Sequence, residues 1–196
     1  MARYARGHKD ASRDKIVSHA SARLRKEGIA AVGVRTLMAE AGLTHGAFYT
    51  HFPARSDLVV AAIDHALDSA AAHLRHIVEQ APAGRGLEAL VRSYLSIGHR
   101  DRAELGCAAS ALAPEIARES LPARESFMRR TREMTELIAS TLPADWAADI
   151  RTERGYAIFA SMMGSLQLMR TASDPAEIEA IMMGGRKAAL LLAEAQ

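Results

Sequence analysis

Val34-Arg-Thr-Leu-Met-Ala-Glu-Ala-Gly-Leu-Thr-His-Gly-Ala-Phe-Tyr-Thr-His-Phe-Pro-Ala-Arg-Ser-Asp-Leu58 is the stretch on which the fold turns. Leu37, Ala41, Leu43, Phe48 and Phe52 are spaced to face inward from two short helices. The first runs from about Val34 to Ala41 and ends at Gly42. Thr44 is placed to cap the second, which Pro53 halts. Upstream, the pattern predicts a longer helix starting near the N-cap Ser12, with Asp14 in its first turn, and stopping at Gly28. Ile16, Val17, Ala20 and Leu24 form its inner stripe. Two short helices joined through a glycine turn behind a supporting helix have the outline of a helix-turn-helix.

The inward set leaves His45, Gly46, Ala47, Tyr49 and Thr50 on the outer face of the last short helix, with no acidic residue among them. Small and hydrogen-bonding groups at a helix start can approach base edges in a major groove. Arg35, Thr36, Thr44, Tyr49, His51 and Arg55 are placed to reach phosphates on either side. Charge agrees with this. Residues 1–53 hold nine Lys/Arg against four Asp/Glu, a net +5, while residues 54–196 hold sixteen against nineteen, a net −3. A basic segment joined to a mildly acidic one suits contact with a polyanion at one end only.

Beyond Pro53 apolar residues recur at steps of three and four, and alanine fills 40 of the 196 positions, so helices are predicted throughout. They fall at about 54–80, 87–100, 105–118, 123–141, 145–171 and 175–195, with 81–86 as linker and Pro122, Pro143 and Pro175 as breaks. β-Branched alternation is sparse, which speaks against strands. The expected fold is all-α, about nine helices in total: an N-terminal three-helix segment over 1–53 and a larger helical domain over 54–196. The longest apolar runs, Leu58–Ile63 and Ala188–Ala193, are far shorter than the ~20 residues of a membrane span. The basic start of the chain is followed by no apolar stretch, and the single cysteine, Cys107, excludes an intrachain disulfide. A reducing cytoplasm is the expected setting.

With its Ala-Gly-Leu-Thr-His-Gly-Ala-Phe-Tyr-Thr-His-Phe-Pro-Ala-Arg-Ser-Asp-Leu run, the segment from about Arg13 to Leu58 resembles the DNA-binding domain of the TetR family of bacterial transcriptional regulators. Met38 and Leu24 depart from the residues common there, but both stay apolar. The resemblance implies a homodimer that binds a palindromic double-stranded DNA operator, most simply as a repressor released by a small apolar or electrophilic inducer. It also implies that the last two long helices of each subunit form the dimer. Gly155, Ala157, Ala160, Ser161, Gly164 and Ser165 would allow the close approach of another helix.

For the inducer, Tyr94, Phe127, Met128, Phe159, Met162 and Met163 are candidate lining of an adaptable apolar pocket, since thioethers repack around varied ligands. Cys107 lies in a Gly-Cys-Ala-Ala-Ser-Ala-Leu-Ala-Pro-Glu block like that of TetR regulators which sense electrophiles or oxidants, and is a further pocket candidate. A rival reading is an enzyme site of His99, Cys107 and Glu115. No phosphate loop, nucleophile elbow or metal-spaced His/Cys set supports it, so neither cofactor nor metal is expected.

Overall fold

The computed structural model describes the backbone of residues 2–30 and 32–194 and the side chains of residues 9–30 and 32–194. Its described residues form nine α-helices: α1 (Ala2–Glu27), α2 (Val34–Glu40), α3 (Arg55–Gln80), α4 (Gly86–Tyr94), α5 (Ile97–Asp101), α6 (Ala108–Ile116), α7 (Leu121–Ala139), α8 (Ala148–Thr171) and α9 (Pro175–Leu191). Two 3-10 segments, His45–Thr50 and Ala103–Leu105, complete the order, and no strand occurs among the described residues. No helix is long and apolar enough to cross a membrane.

Three local details differ from the sequence expectations. Helix α1 begins at Ala2 and passes through Ser12, which therefore does not cap it. The residues before Ser12 contain no proline, and alanine and arginine favour the helix. The basic residues 1–8 have side chains outside the described set. The helix expected over 87–100 is broken, because the Ser96 hydroxyl accepts the His99 N–H and starts α5 anew. Finally, the segment expected as a third α-helix, His45–Thr50, is wound as a 3-10 helix. Thr44 takes its N-cap position in extended backbone but gives no side-chain cap bond. Six residues between a turn and Pro53 gain little from α winding, and the tighter form closes with His51 N–H donating to Phe48 O at 2.9 Å.

Helix α1 stops where expected. Gly28, at φ +84°, closes the last turn by donating its N–H to Leu24 O, and Gly42, at φ +73°, does the same work between α2 and the 3-10 segment. Helix α3, 26 residues and ~39 Å long, is the central rod. It packs against α1 on one side and α4 and α7 on others. Asp64 on α3 accepts from Ser126 and Arg129 on α7 at 2.7 Å each and from Arg130 at 3.1 Å. Burial alone would raise its carboxyl; the Ser126 and Arg130 bonds, with Arg129, hold it below the usual aspartate value instead. Helices α8 and α9 pack as a close pair, with Gly185 against the Ser165 side chain. A single buried apolar cluster extends from Ile16 on α1 to Ala189 on α9.

Candidate nucleic-acid interface and internal cavity

Phe48 and Phe52 are each 1% exposed, and their rings stack 5.7 Å apart. The Arg13 guanidinium covers the Phe52 ring at 5.0 Å, so α1 reaches the residues just after the 3-10 segment. With those two rings anchored inward, the intervening Tyr49 is forced out and is 63% exposed. Its ring meets the edge of His45 and of Phe48. Thr44, His45, Gly46 and Thr50 are exposed beside it, and Ala47 is half-buried. Thr50 spends its hydroxyl proton on Ala47 O. Arg35 and Thr36 are exposed on α2.

Of the expected phosphate contacts, Arg55 also has work within the fold. Arg55 donates through Nε to Val32 O at 2.9 Å and through Nη2 to Ile29 O, tying the α1–α2 connection to the start of α3. His51 is half-buried, and its Nδ1 has no hydrogen-bond partner among the described residues. Burial lowers its pKa below the usual histidine value, and Lys9 and Arg13 add to the shift.

Away from this surface, α1, α3, α4 and the 96–107 segment line a partly open cavity of about 500 Å³. Tyr94 and Cys107 are among the residues that line it. The other five candidate residues do not: Phe127, Phe159 and Met162 are buried in the apolar core, Met163 packs partly buried against it, and Met128 is exposed on α7. Their helical spacing marked core, which methionine fills as readily as it lines pockets.

The cavity wall is instead rich in Ser, His and Arg. His99 Nε2 accepts the Cys107 backbone N–H at 2.8 Å, which leaves Nδ1–H to donate to Tyr94 O at 2.6 Å. The ring is thereby held in one neutral tautomer. Burial lowers its pKa; the Tyr94 bond opposes this, and Arg170, His73 and Arg102 reinforce it. Tyr94 is fully buried, with the Cys107 thiol beside its hydroxyl. Desolvation, then the Cys107 thiol, push that hydroxyl's pKa well above the usual value, against Arg170.

The enzyme-like trio is not assembled. His99 binds the Cys107 backbone and not its thiol, while Glu115 Oε2 accepts the Ile29 N–H at 2.8 Å, joining α6 to the end of α1. Sequence reasoning missed Arg25, which lines the cavity at the end of α1. The signal was present: Val17, Ser21 and Arg25 follow one another at i, i+4 and i+8, and all three are buried. A cation on an inner stripe marks a polar site.

Residues 16–62 match the model described as "Bacterial regulatory proteins, tetR family". Over this segment the chain is similar to that family. The whole chain is similar in fold to solved structures. A TetR-family regulator from Cytophaga hutchinsonii superposes with a TM-score of 0.78 at 14% identity, over 96% of this chain and 98% of that one. A TetR regulator from Chloroflexus aurantiacus gives 0.75 at 20% identity, over 92% and 94%. Escherichia coli NemR in its reduced form gives 0.74 at 14% identity, over 90% and 96%. No curated protein matches the chain. The TetR-family match covers α2, the 3-10 segment and the first part of α3, so it contains the whole exposed face around Tyr49.

Proposed function

We propose that the chain is a DNA-binding transcriptional regulator, a repressor that binds a palindromic operator as a homodimer and leaves it when a small molecule enters the cavity. The division of labour falls at Pro53, with 1–53 as the DNA-binding part and 54–196 as the part that dimerises and binds the effector. The observation that carries the reading is Tyr49, an aromatic residue 63% exposed among small and polar neighbours, on a segment whose flanking aromatics are buried. His45, Gly46 and Ala47 read bases, while Arg35, Thr36, Thr44, Tyr49 and Thr50 hold the backbone of the duplex. Selection from a random duplex pool, followed by titration of wild type and Tyr49→Ala, tests it. Loss of binding by a folded Tyr49→Ala supports the reading, and undiminished binding refutes it.

The dimer face lies on α8 and α9, where Leu168, Met183 and Leu191 are exposed and a Cβ at Gly164 or Gly184 would meet no neighbouring atom. Gly164→Leu therefore leaves the subunit's own packing intact and separates the subunits in sedimentation; a variant that stays dimeric places the interface elsewhere.

A second reading, in which the signal is covalent, is favoured by the position of the Cys107 thiol in the cavity wall. If it holds, N-ethylmaleimide releases the operator from wild type but not from Cys107→Ser.

A further inference from the structure

We infer that the cavity takes a small organic anion, held by the guanidinium of Arg25. The inference rests on the regulator reading for its consequence, but its evidence is the cavity alone. Arg25 is 8% exposed, lines the cavity, and has a buried Nε with no hydrogen-bond partner. Buried cations ordinarily find a carboxylate, and the desolvation they suffer otherwise opposes folding. Here no Asp or Glu lines the cavity, and Arg25 forms no ion pair among the described residues. Glu104 acts on it electrostatically without bonding to it.

The rest of the wall points the same way. Arg102, His65 and His73 add three further nitrogen-bearing side chains to the wall. Arginine is the side chain best suited to a carboxylate or phosphoryl group, because its planar fork binds two oxygens at once. A volume of about 500 Å³ accommodates an aromatic or short aliphatic body behind the charged group. This departs from the apolar inducer that the methionines suggested.

Placement gives the anion leverage. Arg25 and Ser18 belong to α1, the helix whose Arg13 covers Phe52, whereas His73, Tyr94 and His99 lie beyond residue 53. An anion bridging the two walls would bias the position of α1 against α3 and α4.

Thermal unfolding of the full chain with benzoate, phenyl phosphate and benzamide tests the charge requirement. Benzoate or phenyl phosphate raises the midpoint with at least tenfold tighter binding than neutral benzamide, and which of the two is stronger distinguishes a carboxylate from a phosphoryl ligand. Arg25→Met abolishes the shift and Arg25→Lys retains part of it. Equal response to benzamide, an unchanged response in Arg25→Met, or no response of wild type to either anion overturns the inference.

Operator binding by wild type without any probe is scored separately; its failure would sink the regulator reading and leave the anion result standing.

Discussion

Glu115 is a single carboxylate on which the junction between α1 and α6 depends, and its removal has a calculable effect. Its Oε2 accepts the Ile29 N–H at 2.8 Å in a partly buried position, immediately after the glycine that ends α1. A hydrogen bond to a charged group contributes ~1.5–3 kcal/mol, and for a chain of this size ~1 kcal/mol moves the thermal midpoint by ~2–4 °C. Glu115→Ala should therefore lower the midpoint by ~3–12 °C in far-ultraviolet circular dichroism, and Glu115→Gln, which keeps a neutral acceptor, by about half as much. Gly28→Ala supplies an internal check. Its new Cβ would stand 2.8 Å from Glu115 Oε1, on top of the cost of a positive φ. In the Glu115→Ala background the collision is gone and only the backbone cost remains, so the two substitutions together should cost less than their separate effects added. A Glu115→Ala midpoint within about a degree of wild type, or strict additivity with Gly28→Ala, would refute the tether.

Arg55→Lys keeps a positive charge at the start of α3 but cannot hold both the Ile29 and Val32 carbonyls; it should cost ~1–3 kcal/mol by urea unfolding. Wild-type stability in Arg55→Lys would show the carbonyl clamp to be idle. Asp64→Asn should loosen α3 from α7, and because the Asp64 carboxyl is held below the usual aspartate value, its contribution is present above pH ~3.9 and is lost as pH falls through the lower folded value. Acid unfolding curves of wild type and Asp64→Asn that run parallel below pH ~4 would contradict this. His99 and His51 are both lowered, so their contribution is complete above pH ~6.5 and declines as pH falls towards their folded values. His99→Gln should remove part of that slope, as measured by urea midpoints between pH ~7 and ~5.

Helical periodicity made most of the architecture legible, because stripes such as Ile16, Val17, Ala20 and Leu24 record which side of a helix is dry. Glycines at positive φ and the prolines marked the ends. The winding of His45–Thr50 was not legible, since α and 3-10 forms of six residues place Phe48 and Phe52 inward equally well. Around Tyr49 the sequence was sufficient, as the anchors and the exposed residue lie within five positions. The cavity was not, because Arg25, His73, Tyr94 and Cys107 are brought together only by the crossing of α1, α3 and α4. Local pattern also favoured the methionines over an arginine, whose burial depends on partners more than 40 positions away.

The cavity wall is drawn wholly from residues 18–107, and the exposed apolar face of α8 and α9 from residues beyond 160. Under the proposed reading, Ser18, Ser69, Ser93 or Ser96 can change to suit a new chemical cue while the exposed face of α8 and α9 stays as it is. The two are still joined: from α8 Arg170 donates to His99 O and Phe159 meets the Tyr94 ring, and from α9 Arg186 donates to Leu95 O, so drift in these helices would be felt by the cavity.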